Sequence, residues 1–355
     1  IFESEASLLR QYGHEVRTWV RDNHELVDEP RLATVVNTIW SRASQQHLKQ
    51  MLHEQRPDVV HFHNTFLSIS PAAYYTCQEA NIPVVQTLHN YRLICPAATL
   101  YRDGQICEDC LGKWGLWPSI HHGCWHDSSA QTAVVATMLM THRWLKTWQK
   151  QVNIFIVLTE FARQKFIHGG LPPEKLVVKP NFISTPPQEN RQDQREPFAL
   201  FVGRLSAEKG PDLLLQAWKQ LPHLPLKIVG DGPMMPILQQ MVQQHGLTQV
   251  EFCGRVAQEE VLRLMQKASL LVVSSTCYEG LPTAILEAFS RHLPVIAPQL
   301  GSMGEIIRHK EDGIHFKAHD AEDLARWAQW SWEHPEEMEI LADNAYRESQ
   351  ERYSV

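Results

Sequence analysis

Short β-branched and apolar runs alternate along the chain with longer stretches in which apolar residues recur at helical spacing. The runs predict strands at residues 15–20, 58–63, 83–89, 153–159, 198–202, 226–229, 250–253, 270–274 and 295–297. The longer stretches predict helices over about 38–53, 71–79, 129–151, 210–220, 234–245, 258–267 and 283–290. This alternation is typical of crossover units on parallel sheets, so we expect an α/β protein.

A polar, proline-rich segment divides the pattern. Residues 184–197 (STPPQENRQDQREP) carry almost no apolar side chain and therefore predict a linker. The expected domains are residues 1–183 and 198–355, each a doubly wound, Rossmann-like unit. Ligands of such sheets bind at the carboxyl ends of the strands, which for two facing sheets means the cleft between the domains.

Composition excludes several classes of function. The 355 residues are 43% hydrophobic, which is enough for two packed cores. The 33 Lys and Arg against 40 Asp and Glu give a net charge of −7, so no nucleic-acid partner is expected. The longest apolar-rich stretch, residues 133–140, is much shorter than the ~20 residues of a membrane span. The chain has seven cysteines and no recognisable signal peptide, so we expect a protein of the reducing cytoplasm. Both ends of the chain look trimmed.

Two cations follow the strand predicted at 198–202. Arg204 and Lys209 lie on a loop bracketed by Gly203 and Gly210, where glycine lets a phosphate approach the backbone. Arg204 offers bidentate hydrogen bonds and Lys209 a point charge, so the loop suits an anionic ligand. The alternative is a surface loop in which Lys209 pairs with the adjacent glutamate.

A second loop, after the strand predicted at 270–274, contains Gly280, Leu281 and Pro282 and leads into a helix that begins at Thr283. The first amides of a helix have no partner within it, and with the helix dipole they form a seat for phosphate.

Glu279 and Glu287 stand on either side of this turn and can bracket an extended ligand. For Glu287 the alternative is an exposed helix residue. A glycosidase needs two carboxylates about 5 to 9.5 Å apart, whereas eight residues of continuous helix span ~12 Å. The spacing therefore disfavours a hydrolase.

Two further strand ends carry glycine. Gly230 and Gly232 belong to a Gly-Asp-Gly-Pro segment that lacks the third glycine of a dinucleotide-binding fingerprint, so a dehydrogenase is poorly supported. Arg255 and Val256 follow the next strand.

These segments, in this order and spacing, resemble the donor-binding domain of family-4 retaining glycosyltransferases of GT-B fold. The resemblance covers about residues 196–345 and rests on GRL at 203–205, EKG at 208–210, VGDGP at 229–233, FCGRV at 252–256 and the pair Glu279 and Glu287. GT-B enzymes have two doubly wound, Rossmann-like domains that face each other across a cleft, and this is the fold we expect.

The first half resembles the same enzymes less tightly. Residues 87–92 (TLHNYR) are similar to the segment whose histidine, here His89, faces the donor sugar. Many relatives have Asp where Asn90 stands, which leaves the role of that position open. Residues 90–124 resemble capsular or O-antigen polysaccharide transferases, and we expect a Cys- and Trp-rich insertion at about 90–128. Relatives also have a strand and a glycine-rich loop ahead of the helix that opens this chain.

The resemblance implies transfer of a sugar from a nucleotide-diphosphate sugar to a glycan or lipid-linked acceptor. The leaving phosphate takes the acceptor proton on the same face, so no protein nucleophile is expected. Arg204, Lys209 and the amides near Pro282 are suited to stabilising the leaving charge. No divalent metal is then required, and the sequence has no obvious Asp-x-Asp metal motif.

The resemblance also implies roles for individual residues. Glu287 would hold the ribose hydroxyls, Glu279 the sugar hydroxyls, and the backbone near Arg255 and Val256 the base. His89 would contact the sugar from the first domain; the alternative is a hydrogen-bonded residue at a strand end. Two other functions stay open: a catalytically silent protein that binds nucleotide sugars, and a GT-B sugar-nucleotide epimerase.

Four cysteines in the region 90–128 have a spacing that fits a structural zinc site. Cys95, Cys107, Cys110 and Cys124 form C-x11-C-x2-C-x13-C. The alternatives are unligated thiols or an isolated disulfide.

The same region and the helix predicted after it are rich in tryptophan. Trp144 and Trp148 continue a stripe that starts at Ala133, and such a stripe usually packs in a core. The other hypothesis is shallow contact with a lipid surface at the inner membrane face, near a lipid-linked acceptor.

Overall fold

The computed structural model describes residues 1–22, 30–183 and 195–354. Most of the predicted linker, residues 184–194, lies outside the described residues. The chain forms two compact units. The first comprises Ile1–Leu100 and Cys107–Lys179, and the second comprises Tyr101–Ile106 and Pro180–Val355.

The first unit is built on a parallel sheet. In chain order, the strands up to residue 179 are β1 (Val60–Phe62), β2 (Val84–Leu88), β3 (Tyr101–Arg102), β4 (Gln105–Ile106), β5 (Ile154–Val157) and β6 (Leu176–Val178). The sheet has the order β1-β2-β5-β6, and every neighbouring pair is parallel. β3 and β4 form an antiparallel hairpin that belongs to the second unit.

Eight α-helices are described in this part of the chain. They are α1 (Phe2–Gln11), α2 (Arg31–Ile39), α3 (Arg42–Glu54), α4 (Ala73–Glu79), α5 (Trp117–His121), α6 (Ser129–Trp144), α7 (Thr147–Gln151) and α8 (Glu160–His168). Large side chains such as Tyr74, Trp148, Phe155 and Phe166 are almost completely buried. Their burial provides the hydrophobic stabilisation of this unit.

Three predictions for the first unit are wrong in detail. Residues 15–20 form no strand, because they have no strand partner and their side chains stay largely exposed, Val20 at 70%. The helix predicted over 38–53 is two helices, because the Ser41 hydroxyl accepts from Ser44 N and starts α3 afresh. The helix over 129–151 is interrupted at Lys146, which has a positive φ of 56°.

The second unit contains a six-stranded parallel sheet. Its strands are β7 (Ala199–Val202), β8 (Leu226–Val229), β9 (Val250–Gly254), β10 (Leu270–Val272), β11 (Val295–Pro298) and β12 (Ile314–Phe316). The order is β12-β11-β10-β7-β8-β9. All five strands predicted in this half are confirmed.

The helices of the second unit are α9 (Pro211–Trp218), α10 (Met235–His245), α11 (Gln258–Lys267), α12 (Thr283–Phe289), α13 (Gly301–Ile306), α14 (Ala321–Glu333) and α15 (Pro335–Arg352). The core is apolar and continuous, with Leu214, Trp218, Ile228 and Phe316 almost fully buried. It holds the strands in register, so the loops at their carboxyl ends have fixed positions.

Candidate functional site

The strand order shows where the second unit can bind a ligand. Counted from β7, the sheet has the doubly wound order 3-2-1-4-5-6, and the direction of winding reverses between β7 and β10. At such a switch point the loops after two neighbouring strands diverge and leave a crevice at their carboxyl ends. The loop after β7 carries Lys209, and the loop after β10 carries Glu279.

Lys209 and Glu279 form an ion pair at this switch point. Lys209 Nζ lies 2.6 Å from Glu279 Oε1, and Ser275 Oγ donates to the same oxygen at 2.6 Å. Ser302 Oγ donates to the carbonyl oxygen of Glu279 at 2.9 Å, which secures the turn. Lys209 therefore pairs across the switch point rather than with its neighbour Glu208.

The surroundings of Lys209 keep it charged. Burial favours the neutral amine, but the charge of Glu279 and the hydrogen bond to it outweigh burial, so the pKa of Lys209 is raised. The lysine side chain is 31% exposed and the glutamate side chain 12%. The ammonium is thus held by a carboxylate on one side and is reachable from solvent on the other.

The β3–β4 hairpin brings a tyrosine to the same strand ends. Thr276 Oγ1 donates to Tyr101 Oη at 3.1 Å, and Tyr101 Oη donates to the carbonyl oxygen of Ala207 at 3.3 Å. Sequence reasoning missed Tyr101. Asp103 and Gly104, both with positive φ, form the two-residue turn, and an Asp-Gly pair is a known hairpin signal. The Asp-Gly pair predicts the hairpin, but it does not predict that Tyr101 contacts Thr276 and Ala207.

The glycines predicted to bind the donor bring loops into contact. A Cβ on Gly230 would lie 1.8 Å from the carbonyl oxygen of Gly203, and one on Gly232 would lie 2.4 Å from that of Leu205. A Cβ on Gly210, where φ is +60°, would lie 2.2 Å from the carbonyl oxygen of Ser274. Backbone therefore packs directly on backbone around the switch point.

Arg204 and Arg255 are exposed after β7 and β9. Neither guanidinium has a hydrogen bond or ion pair with any residue in the described ranges. Val256 is half-buried beside Arg255. The structure thus connects Lys209 directly with Glu279 but leaves both arginines unengaged, which keeps them available for a ligand.

Glu287 is half-buried on α12. Gln258 Nε2 donates to Glu287 Oε1 at 2.8 Å. Burial raises the pKa of Glu287, opposed by the charge of Arg291 and the bond from Gln258. The alternative of an ordinary exposed helix residue does not describe this position.

The turn before α12 is compact. Gly280 is half-buried, Leu281 is buried, and Pro282 is the N-cap residue directly before α12. Ile285 N donates to the carbonyl oxygen of Pro282 at 3.1 Å, which is the first hydrogen bond of this turn. The amide of Thr283 lies two residues before this donor, at the start of the helix. This is the placement expected for the predicted phosphate seat.

His89 lies in the first unit, directly after β2. Its Nε2 is 2.9 Å from Nδ1 of His63, which follows β1. Burial, and next the charge of His63, lower the pKa of His89 to about 4, so this imidazole is neutral at pH 7. His89 acts as a hydrogen-bonding group there, not as a cation.

His63 contacts a carboxylate that sequence reasoning did not single out. Its Nε2 lies 3.3 Å from Oε2 of Glu5, whose Oε1 lies 2.9 Å from Nζ of Lys179. The bond from His63 is the largest cause that lowers the pKa of Glu5 to about 2. The alternation of His61 and His63 at the end of a strand places both on one face, which is the only local signal for this cluster.

One group of side chains lies close enough together to hold a metal ion. Among the described residues, one group has three or more metal-ligating atoms within 4.8 Å of one another, and it comprises Glu5, His61 and His63. Cys95, Cys107, Cys110 and Cys124 form no disulfide and do not meet this spacing. Zinc at the cysteines stays a prediction.

The tryptophan stripe is not continuous. Trp148 on α7 is 1% exposed, whereas Trp144 at the end of α6 is 72% exposed. The interruption at Lys146 separates their faces, so the two side chains have different environments. No helix in the described ranges combines the length and the apolarity that crossing a bilayer requires.

Comparison with known proteins identifies the family. Residues 4–186, more than half of the chain, match the profile of Glycosyltransferase Family 4. The chain belongs to glycosyltransferase family 4. Residues 183–348 of this family-4 chain also match the profile of Glycosyl transferases group 1. The family predicted from the sequence is therefore confirmed.

Two curated relatives and one solved structure are similar to this family-4 chain. Alpha-D-kanosaminyltransferase of Streptomyces kanamyceticus is 26% identical over 218 residues, 56% of either chain. An uncharacterized glycosyltransferase of Methanocaldococcus jannaschii is 34% identical over 127 residues, 36% of either chain. The chain thus spans between one third and three fifths of these relatives' length.

Anabaena HepE in complex with UDP has a TM-score of 0.66 and 19% identity over 98% of this chain and 85% of that chain. This likeness shows the fold. The predicted GT-B architecture of two Rossmann-like domains with parallel sheets is confirmed.

Proposed function

We propose that this chain is a retaining glycosyltransferase that moves a sugar from a nucleotide-diphosphate sugar to a glycan or lipid-linked acceptor. The observation that carries the proposal is the ion pair of Lys209 and Glu279 at the switch point of the second sheet. The donor class is supported by the HepE structures, which contain UDP and UDP-glucose.

The leaving diphosphate sets the main chemical task. As the anomeric C–O bond breaks, negative charge develops on the diphosphate, and Lys209 supplies a preorganised cation. Arg204, without a partner among the described residues, adds bidentate hydrogen bonds, and the amide of Thr283 adds a neutral donor. One preorganised donor of this kind contributes ~3 to 4 kcal/mol in the transition state.

The carboxylates orient the donor. Glu279 accepts from Lys209 and Ser275, which fixes its carboxylate beside the cation, and we assign this carboxylate to the sugar hydroxyls. Glu287 accepts hydrogen bonds from the ribose hydroxyls, which compensate for its burial. The backbone at Arg255 and Val256 holds the base, and neutral His89 contacts the sugar.

The acceptor attacks the anomeric carbon on the face from which the diphosphate leaves. A new C–O bond forms as the old one breaks, and the acceptor hydroxyl proton passes to the leaving phosphate oxygen. No protein nucleophile takes part. The mechanism requires no divalent metal, so turnover should continue in the presence of a chelator.

A lipid-linked acceptor is supported by exposed aromatic side chains. Trp114, Trp117 and Trp144 are each about two-thirds or more exposed. Arg143 donates to the carbonyl oxygen of Lys113 at 3.0 Å, which connects the segments of Trp114 and Trp144. Tryptophan is favoured where a protein meets the interface of a bilayer. These side chains support our proposal that the enzyme makes peripheral contact with the inner membrane face from the cytoplasmic side.

Substitution of Lys209 and Glu287 tests the proposal. Lys209→Ala should lower kcat/KM about 100-fold or more, because it removes the cation that stabilises the leaving group. Glu287→Ala should weaken donor binding, because the ribose loses its acceptor. Turnover of a panel of nucleotide sugars is measured on the full chain.

The matched control is Lys219→Ala, which removes an exposed lysine just beyond α9 and should leave the rate unchanged. Thermal unfolding confirms that each variant is folded. Wild-type kinetics in both Lys209→Ala and Glu287→Ala would falsify the proposal.

A further inference from the structure

Three polar groups of the first unit form a chain of contacts: Glu5 on α1, His63 after β1 and His89 after β2. Glu5 Oε2 is 3.3 Å from His63 Nε2, and His63 Nδ1 is 2.9 Å from His89 Nε2. We call this the Glu5–His63–His89 chain. Both nitrogens of His63 are engaged. Within the described ranges, Nδ1 of His89 has no hydrogen-bond partner.

The protons in this chain can be assigned by counting donors. A carboxylate only accepts hydrogen bonds, so the proton between Glu5 and His63 is on His63 Nε2. When His63 is neutral it carries one N–H, so its Nδ1 is an acceptor; a protonated His63 would instead donate from both nitrogens. The proton between the two histidines must then be on Nε2 of His89. This leaves Nδ1 of His89 with a free lone pair.

The neighbouring charged and titratable groups do not disturb this assignment. Lys179 holds the other oxygen of Glu5, Oε1, at 2.9 Å. Nε2 of His61 contacts Oγ1 of Thr87 at 2.8 Å, although the His61 ring lies 4.5 Å from that of His63. Phe2 packs edge-on against His63 and offers no polar group. The two nitrogens of His63 therefore interact with Glu5 and His89.

We propose that Glu5 and His63 are positioning residues that hold His89 in the Nε2–H tautomer, so that its Nδ1 accepts a hydrogen bond from a substrate hydroxyl. The tautomer follows from the geometry of the first unit when His63 is neutral. The part that concerns the hydroxyl rests on the proposed function, in which His89 contacts the transferred sugar.

Nitrogen NMR of the histidine rings measures the tautomer directly. The full chain, labelled with 15N-histidine and kept at pH 7 with a chelator, should show a protonated Nε2 and an unprotonated Nδ1 for His89. The signals are assigned by their loss in His89→Gln. The Nδ1–H form of His89 in the wild-type chain would overturn the proposal.

Glu5→Gln is the informative variant. The glutamine amide can donate to His63 Nε2, so Nδ1 of His63 can carry the proton and His89 can adopt the other tautomer. The His89 signals should shift toward a mixture of both forms. Glu3→Gln is the matched control, because Glu3 is exposed on the same helix. Identical His89 signals in Glu5→Gln and Glu3→Gln would contradict the role of Glu5.

Kinetics tests whether the tautomer matters for transfer. Glu5→Gln should lower kcat/KM about tenfold, which corresponds to the loss of about one hydrogen bond, and should leave the affinity for the free nucleoside diphosphate unchanged, because that product lacks the sugar. A changed tautomer with an unchanged rate would overturn the positioning role. It would leave the proposed function intact, because that function is tested at Lys209.

Metal binding is the competing outcome. Glu5, His61 and His63 also have ligand atoms close enough to share an ion. One equivalent of zinc that remains on the purified wild-type chain and is lost in Glu5→Gln would make these residues metal ligands. That result would overturn the proposal.

Discussion

At the scale of single residues, the environment of each carboxylate decides what it can do. Glu279 is neutralised by Lys209, a cation whose pKa is raised. Glu287 forms no ion pair with any described residue, and the charge of Arg291 and one hydrogen bond from the neutral Gln258 only partly offset its burial. Glu279 therefore holds the Lys209 ammonium in place, whereas the cost of burying the Glu287 carboxylate is offset only when hydroxyl donors reach it.

Glu287→Gln should stabilise the ligand-free chain at neutral pH. Burial raises the pKa of Glu287 above 4.5, so its ionised form costs stability above that raised pKa. Glutamine removes this cost and still accepts from Gln258. As pH falls toward 4.5, the wild-type carboxyl becomes protonated in the folded state and the cost disappears.

The melting temperature measures this effect. Glu287→Gln should melt higher than wild type at pH 7, and the difference should vanish near pH 4.5. Glu259→Gln, an exposed position on α11, should show no pH-dependent difference. A lower melting temperature of Glu287→Gln at pH 7 would show that burial of this charge is already compensated.

At the scale of elements, the strand-end loops are held by direct contact of their backbones. Gly203 N donates to the carbonyl oxygen of Val229, and Gly230 N donates to that of Gly254 at 2.9 Å. Three neighbouring strand ends are thereby connected. Rigid loops of this kind keep Arg204 and Lys209 at fixed positions, which is what preorganised charge stabilisation requires.

Gly230→Ala should therefore destabilise the second unit strongly. The new Cβ would lie 1.8 Å from the Gly203 carbonyl oxygen, at a φ of +138°. We expect a loss of about 3 kcal/mol or more, measured by urea unfolding. Gly246→Ala is the control: φ is +60° but no atom lies within 4 Å, so it should cost only about 1 kcal/mol. Equal losses would show that the loop contact is not tight.

At the scale of the whole molecule, a donor that binds the folded chain must raise its melting temperature. A nucleotide-diphosphate sugar at 100 times its Kd stabilises the folded state by ~2.7 kcal/mol. We expect one or a few donors in a panel of nucleotide sugars to give a clear shift, and Lys209→Ala to reduce it. A uniform lack of response to every donor would contradict nucleotide-sugar binding.

Much of the fold follows from local sequence. The strands of the second unit are short apolar runs, and their order places the loops of Lys209 and Glu279 side by side. Both residues were predicted because strand ends and turns are marked by nearby glycine and proline. The breaks between helices at Ser41 and Lys146 were not predicted. Apolar residues keep their helical spacing across both positions, although the backbone leaves the helical conformation there.

The amino-acid sequence by itself determined the α/β class, the family and the strand ends at which charged residues lie, because these depend on residues close together along the chain. Only the tertiary structure decided which of those groups meet. Tyr101 reaches Thr276, and Glu5 reaches His63, across long stretches of sequence. Such contacts depend on how separate elements pack, and no local pattern of polar and apolar residues encodes that.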